Sequence, residues 1–300
     1  MVNLLQQSEA LRREYPFQPR RFRTANGASM SYLDEGPRST EAVVMLHGNP
    51  TWSFYYRHLV TMLSSTHRCI VPDHIGMGLS EKPQDYPYNL STRIADVETL
   101  LQELGIERVH LIVHDWGGAI GFGLATRRPK LIGRIVVLNT AAFLAPVIPP
   151  SIALCRTKFP GTLIVRGLNG FARPATWMAM NQRQLSSDEK YGYLAPYGSW
   201  ADRVAVNAFV KDIPMHGSHP SYAMLAGIEK KLPLLGGHEI KIVWGGADFC
   251  FNRYFYERWT GLFPNACSHF IDDAGHYVLE DARAAVLPLV RDFLAPVERR

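Results

Sequence analysis

The chain has 300 residues, of which 47% are hydrophobic and 20% charged, and 32 Lys and Arg against 27 Asp and Glu give a net charge of +5 with neutral His. This composition is typical of a globular protein with a sizeable core and excludes a disordered chain. The basic residues are scattered singly or in pairs, which indicates a solvated surface and argues against nucleic-acid binding.

Several classes of site and segment are missing from the sequence. The four cysteines are far apart with no CxxC pair, and there is no dinucleotide fingerprint, phosphate loop or metal-ligand cluster. Residues 1–20 lack the apolar run of a secretory signal, and no window has 18 uninterrupted apolar residues. We therefore expect no cofactor, no metal, no transmembrane segment and a cytoplasmic location.

Short β-branched runs alternate with helical patterns along most of the chain. The Asn26-Gly27 turn between two extended segments predicts an antiparallel hairpin at a sheet edge. An apolar stripe from Ile94 to Leu104, ended by Gly105, predicts a helix. Nearly continuous apolar runs, typical of parallel strands buried on both faces, occupy residues 43–46, 69–71, 109–113, 135–138 and 240–244. This alternation predicts a doubly wound parallel sheet.

The alternation stops in residues 141–238, which begin with several prolines and are rich in Arg, Met and aromatic residues. A structureless loop of this length is implausible in a compact domain. We therefore predict a helical cap at 141–238, inserted between a first part of the core at 1–140 and a second part at 239–300.

A motif with chemical meaning follows the strand predicted at 109–113. The run HDWGG at 114–118 leads into a helical pattern from Ala119, and such a strand, sharp turn and helix form a nucleophile elbow with a reactive side chain at the apex. The apex is Asp115, where an esterase has Ser, and Val113 replaces the first Gly of the G-x-S-x-G pattern. Taken alone, an Asp at a strand end is also explained as a helix N-cap.

Two later segments support the catalytic interpretation. Asp248 and His276 each follow an apolar run, so the order Asp115, Asp248, His276 matches the nucleophile, acid and base of the α/β-hydrolase fold. A catalytic His needs a carboxylate that orients its ring, and Asp248 is the preferred candidate. Asp272 and Asp273 are alternatives, but they lie very close to His276 in sequence.

The loop LHGNPTW at 46–52 directly follows the first buried run. In this fold that loop supplies one backbone N–H of an oxyanion hole, and the residue after the nucleophile supplies the other. Asn49 and Trp116 are therefore the candidate donors, and their side-chain N–H groups are also suited to a leaving anion. The structural alternatives are a turn residue for Asn49 and core packing for Trp116.

An aspartate nucleophile narrows the reaction. A carboxylate that attacks an sp³ carbon forms an alkyl ester, which water can cleave at the acyl carbon, whereas an ether formed by Ser cannot be cleaved in this way. The substrate should therefore carry a leaving group on carbon, such as a halide, an epoxide oxygen or a strained lactone.

The motifs HGNPTW at 47–52, PDHIGMGLS at 72–80 and HDWGG at 114–118 resemble the haloalkane-dehalogenase branch of the α/β hydrolases. This resemblance implies a mostly parallel eight-stranded sheet with helices on both faces and an inserted helical cap. It also implies that Asn49 and Trp116 hold the leaving anion.

The chain more closely resembles one sub-branch, the β-lactone decarboxylases of bacterial long-chain olefin biosynthesis. The segments that carry this resemblance are Tyr32–Pro37, Asn139–Phe143, Ala195–Tyr197 with Trp200, Asp212–Pro214 and His276–Asp281. It implies conversion of a cis-3-alkyl-4-alkyloxetan-2-one to a cis-alkene and CO₂. It further implies assembly with the β-lactone synthetase and the ketone reductase of the pathway.

Several alternatives stay open from the sequence. Asp115 can attack either the ring alkyl carbon or the lactone carbonyl. A haloalkane dehalogenase would use the same residues as the decarboxylase. An epoxide hydrolase would use lid tyrosines such as Tyr193 and Tyr197. A binding protein of the same fold that has lost catalytic activity is a further alternative, of a different functional class. For the long alkyl chains, the apolar cap residues expected to line a pocket are Phe143, Phe171, Trp177, Met178, Met180 and Tyr197.

Overall fold

A computed structural model of the chain describes residues 8–295. The strands of this part are β1 (Arg20–Arg23), β2 (Ser29–Glu35), β3 (Glu41–Leu46), β4 (Arg68–Pro72), β5 (Arg108–Asp115), β6 (Ile132–Thr140), β7 (Ile240–Gly245) and β8 (Cys267–Ile271). They form one eight-stranded sheet in the order β1-β2-β4-β3-β5-β6-β7-β8. β2 is antiparallel to both of its neighbours, and the other pairs are parallel.

Helices connect most of the parallel strands. The α-helices of the described residues are α1 (Glu9–Glu14), α2 (Arg57–Leu63), α3 (Leu90–Glu103), α4 (Trp116–Arg127), α5 (Pro150–Arg156), α6 (Ala172–Met178), α7 (Ser187–Leu194), α8 (Val204–Lys211), α9 (Tyr222–Lys231), α10 (Arg253–Leu262), α11 (Val278–Asp281) and α12 (Arg283–Leu294). Between residues 8 and 295, no helix combines the length and the apolar character needed to cross a lipid bilayer.

The strands and the helix predicted from apolar patterns are confirmed. The five apolar runs lie in β3 to β7, whose central residues are fully buried because neighbouring layers cover both faces. The β1–β2 hairpin lies at the edge of the sheet, and Gly27 in its turn has a φ of +82°. The stripe from Ile94 lies on α3, where the Ile94 side chain packs closely against Gly123 of α4.

Residues 141–238, all of which are described, contain the helices α5 to α9 and no strand. They pack on the loops that follow β3 and β4. The indole of Trp52 donates to the carbonyl of Gly192 at 3.0 Å, and the amide of Asn49 donates to the carbonyl of Val206 at 3.1 Å. These helices therefore lie over the carboxyl ends of the central strands, where α/β sheets usually bind ligands.

A buried ion pair connects this helical segment with helices that precede and follow it in the chain. Arg57 of α2 donates to the carboxylate of Glu280 in α11, and neither side chain is exposed. The hydroxyl of Tyr193 in α7 donates to the same carboxylate at 2.7 Å. Burial alone would raise the pKa of Glu280, but the adjacent Arg57 guanidinium outweighs it and keeps the pKa low. Glu280 is therefore ionised and holds three elements together.

We predict that Glu280→Gln destabilises the protein by about 3 kcal/mol, because it leaves Arg57 buried without its main counter-ion. Urea unfolding of the variant measures this loss. The control is Arg13→Ala, which removes an exposed ion pair with Asp188 and should cost less than about 1 kcal/mol. Equal unfolding midpoints for the two variants would show that the buried pair contributes no more than a surface pair.

Candidate active site

The strand–turn–helix arrangement predicted around Asp115 is present in the fold. β5 ends at Asp115 and α4 begins at Trp116, three residues before the predicted helix start. Asp115 has φ 51° and ψ −126°, a backbone conformation that is costly for a residue with a side chain. A Cβ at Gly117 would collide with the carbonyl of Leu46 and one at Gly118 with the hydroxyl of Thr140, so this close approach requires glycine.

The three residues predicted as a triad come together at the carboxyl edge of the sheet. The Nδ1–H of His276 donates to Oδ2 of Asp248 at 2.7 Å, and Nε2 lies 3.7 Å from Oδ2 of Asp115. All three side chains are buried. Asp272 and Asp273 are exposed, and neither carboxylate is bonded to His276. Asp248 therefore orients the ring.

The carboxylate of Asp248 is fully engaged by its surroundings. Its Oδ1 accepts from the backbone N–H of Cys250 at 2.7 Å and of Phe251 at 3.0 Å. Its Oδ2 also accepts from the side-chain amide of Asn139 at 2.9 Å. Asn139 is the second-last residue of β6, has a positive φ of 26°, and forms two further hydrogen bonds with the backbone of Gly245. Asn139 thus anchors Asp248 to both strands.

Burial and neighbouring charges shift the pKa values of Asp115 and His276 in opposite directions. Burial raises the pKa of Asp115, and the charge of His276 together with the N–H groups of Asn49 and Trp116 offsets only part of this rise. Burial alone would lower the pKa of His276, but the Asp248 charge, helped by Asp115, outweighs it and raises that pKa. The imidazole therefore holds its proton to a higher pH than an ordinary His.

The predicted anion-binding residues lie directly at Asp115. The backbone N–H of Asn49 donates to Oδ1 of Asp115 at 2.7 Å, and Gly48 allows this approach because a Cβ there would fall on the same carboxylate. The side-chain carbonyl of Asn49 is buried without a partner among residues 8–295. The indole of Trp116 packs at 5.5 Å from Phe209, and its N–H forms none of the hydrogen bonds described for these residues. Backbone donors therefore hold Asp115, and side-chain groups of Asn49 and Trp116 face the adjoining space.

An apolar cavity opens above Asp115, with Asn49 and Trp116 at its base. Phe143 and Phe171 line it, as the sequence predicted. A second, smaller cavity also reaches Asp115, and its lining includes Met178.

Three of the six apolar cap residues that the sequence offered for the pocket do not line these two cavities. Trp177 is exposed to solvent, while Met180, which follows the end of α6, and Tyr197, which follows the end of α7, are buried outside both cavities. The hydroxyl of Tyr197 accepts from the N–H of Gly78 at 3.3 Å, and that of Tyr193 is bonded to Glu280. Neither tyrosine of the epoxide-hydrolase alternative reaches the cavities.

His114 is a residue of the site whose contribution the sequence did not reveal. Its ring lies between those of Tyr55 and His276, 4.4 Å from each, and its Nε2 donates to the carbonyl of His276 at 2.9 Å. Burial holds the pKa of His114 well below its usual value, so this ring is neutral. It supports the backbone of His276 without adding charge. Its only sequence signal was its place beside Asp115.

Comparison with known proteins gives the family. The family described as "alpha/beta hydrolase fold" matches residues 41–154. A cis-3-alkyl-4-alkyloxetan-2-one decarboxylase from Shewanella oneidensis is 43% identical over 289 residues, which cover 94% of this chain and 90% of that protein. A protein of the same name from Xanthomonas campestris is 42% identical over 93% of this chain and 97% of its own length. The chain belongs to this decarboxylase family.

A solved structure extends the comparison to the fold. The haloalkane dehalogenase DbeA from Bradyrhizobium elkani matches with a TM-score of 0.83 at 24% identity, over 92% of this chain and 97% of that one. This likeness confirms the predicted α/β-hydrolase fold. The decarboxylase family and the dehalogenases thus share one architecture.

We predict that Asp248→Asn lowers the pKa of His276, because the substitution removes the charge that offsets burial of the ring. Titration of ¹³C-labelled imidazoles by NMR measures this change. The matched control is Asp273→Asn, which removes an exposed carboxylate that is bonded to Gln182 and not to the ring, and it should leave the pKa of His276 unchanged. A decrease of similar size in both variants would contradict the assignment of Asp248 as the partner of His276.

Proposed function

We propose that this chain is a β-lactone decarboxylase that converts a cis-3-alkyl-4-alkyloxetan-2-one to a cis-alkene and CO₂, with Asp115 as nucleophile. Similarity to two decarboxylases over more than nine-tenths of the chain supports the reaction. The observation that carries the mechanism is a buried carboxylate at the elbow, facing an apolar cavity whose base holds Asn49 and Trp116. A neutral, apolar substrate that releases an anion during the reaction suits this site.

The hydrogen bond on Asp115 favours attack at the ring alkyl carbon. The backbone N–H of Asn49 is already occupied by Oδ1 of Asp115, so it is not free to stabilise an oxyanion formed from the lactone carbonyl. The other oxygen of Asp115 can attack C4 while the C4–O1 bond breaks. The released carboxylate, still attached to C3, then accepts hydrogen bonds from the indole N–H of Trp116 and from the side-chain N–H of Asn49 that is not bonded to Val206.

The second step returns the enzyme to its starting state. The C3–C2 bond breaks and releases CO₂, its electron pair forms the C3=C4 double bond, and the C4–O bond to Asp115 breaks to regenerate the carboxylate. Inversion at C4 followed by anti elimination preserves the cis relationship of the alkyl chains. The cycle consumes no water and no proton, so His276 and Asp248 serve to orient and balance the buried charge of Asp115.

A haloalkane dehalogenase is the second candidate, because the same triad geometry and the same two anion-binding residues suit displacement of a halide. In that reaction His276 would activate water to hydrolyse the ester on Asp115. The structural likeness to DbeA is a likeness of fold, whereas the higher identity lies with the decarboxylases.

We also propose that residues 141–238 act as a cap on a core formed by residues 1–140 and 239–300. Support comes from the helices α5 to α9, which lie over the candidate site and contribute apolar side chains to the cavities. Assembly with a β-lactone synthetase and a ketone reductase, and a cytoplasmic location, stay predictions from the sequence.

A paired assay distinguishes the two reactions. We expect purified protein to convert a cis-3,4-dialkyl β-lactone to alkene far faster than the spontaneous rate, and to release little bromide from a terminal bromoalkane. Asp115→Asn should lower lactone turnover by at least about 10³-fold, as removal of a catalytic nucleophile does. The control Asp272→Asn removes an exposed carboxylate and should retain full activity. Fast bromide release with an untouched lactone would identify a dehalogenase instead.

Solvent labelling tests the water-free cycle. During many turnovers of the lactone in H₂¹⁸O, we expect no ¹⁸O in the peptide that contains Asp115, because the ester intermediate fragments and is not hydrolysed. Mass spectrometry of the digested protein measures the label. Incorporation into Asp115 during alkene formation would contradict the fragmentation step.

A further inference from the structure

The two cavities that reach Asp115 share one floor and then separate. Both are lined by Asn49, Asp115, Ile152, Phe171 and Cys250. We name the larger cavity arm A and the smaller one arm B. The side chains that line arm A alone include Trp116, Phe143, Ala145, Ile213 and Leu225, whereas those that line arm B alone include Cys155, Ala175, Met178, Phe249 and His276.

Each arm is suited to an alkyl chain. The lining of arm A beyond its floor is entirely apolar, and its outer part includes Val147, which is 73% exposed. The outer part of arm B includes Met178 and Phe249, which are 43% and 40% exposed. These exposed apolar side chains extend each lining to the surface. A long chain can therefore lie in either arm and leave it over apolar contacts.

The direction in which the C4–O1 bond breaks determines which side of the substrate faces each arm. When Asp115 attacks C4, the breaking C4–O1 bond must point away from the nucleophile and toward the donors of Asn49 and Trp116. Trp116 lines arm A alone, whereas His276 lines arm B alone. The carboxylate and the C3 that bears it therefore lie on the side of arm A, and C4 lies on the side of arm B.

We propose that the substrate is bound with its two chains separated, the 3-alkyl chain in arm A and the 4-alkyl chain in arm B. Ala145 and Ala175 are then specificity-determining residues of different arms. This inference rests on the proposed decarboxylase function and adds to it which chain each arm accepts.

Two matched substitutions test the separation. Ala145 and Ala175 are both half-buried, and each lines one arm only, so Ala145→Phe fills arm A and Ala175→Phe fills arm B. The substrates are the cis-3-octyl-4-methyl lactone, the cis-3-methyl-4-octyl lactone and the cis-3,4-dimethyl lactone. Turnover of the dimethyl lactone reports on the site around Asp115, because its substituents are too short to need either arm.

We expect Ala145→Phe to lower kcat/KM for the 3-octyl lactone relative to the 4-octyl lactone by at least about tenfold, the effect of losing the burial of about two methylene groups. Ala175→Phe should give the opposite preference, with the kcat/KM for each octyl lactone divided by that for the dimethyl lactone in the same variant. If either variant fails to fold, Ile213→Trp in arm A and Met178→Trp in arm B repeat the test.

The possible failures are distinguishable. Equal losses on both octyl lactones in each variant would overturn the separation of the chains. A reversed preference would overturn the assignment of the chains to the arms. A wild-type protein that leaves all three lactones unchanged would instead overturn the proposed function.

Discussion

The structure depends on keeping the carboxylate of Asp115 charged at the floor of an apolar cavity. Burial alone raises the pKa of this group and favours its neutral form, which is a poor nucleophile. The N–H of Asn49 at 2.7 Å and the imidazole of His276 at 3.7 Å act against that penalty. The contact with Asn49 requires a very close approach of the backbone, which explains the glycine at position 48, because a Cβ there would fall on the carboxylate of Asp115.

The buried groups beside Asp115, at the carboxyl ends of several strands, also need partners for their charges. His276 can stay protonated in a buried position because Asp248 faces its Nδ1, and Asp248 can stay there because Asn139 and two backbone N–H groups occupy its remaining lone pairs. His114 is close to this network yet neutral, so it adds support without repulsion. Each buried charge thus has a counter-charge or a donor, as buried polar networks require.

A low-dielectric site of this kind suits a substrate that is neutral when it binds and becomes charged only in reaction. The linings of the two arms are mostly apolar, and the ionisable side chains of Asp115 and His276 lie close together beside the floor, 3.7 Å apart. The proposed roles of Asn49 and Trp116 follow from this distribution, because a donor in an apolar pocket gains most from an anion that appears beside it. Arm shape then determines which chains fit, and the floor determines which bond breaks.

The sequence by itself determined the sheet, the strand–turn–helix around Asp115 and the family, because apolar runs, helical stripes and short motifs are local signals. It also ranked Asp248 above Asp272 and Asp273, but only the tertiary structure decided the pairing, through the 2.7 Å bond to His276. Trp177 was predicted in the pocket and is exposed, since a helical segment without a clear apolar stripe does not reveal which face it buries. The two arms likewise arise where distant segments meet at Asp115, and no local pattern records such contacts.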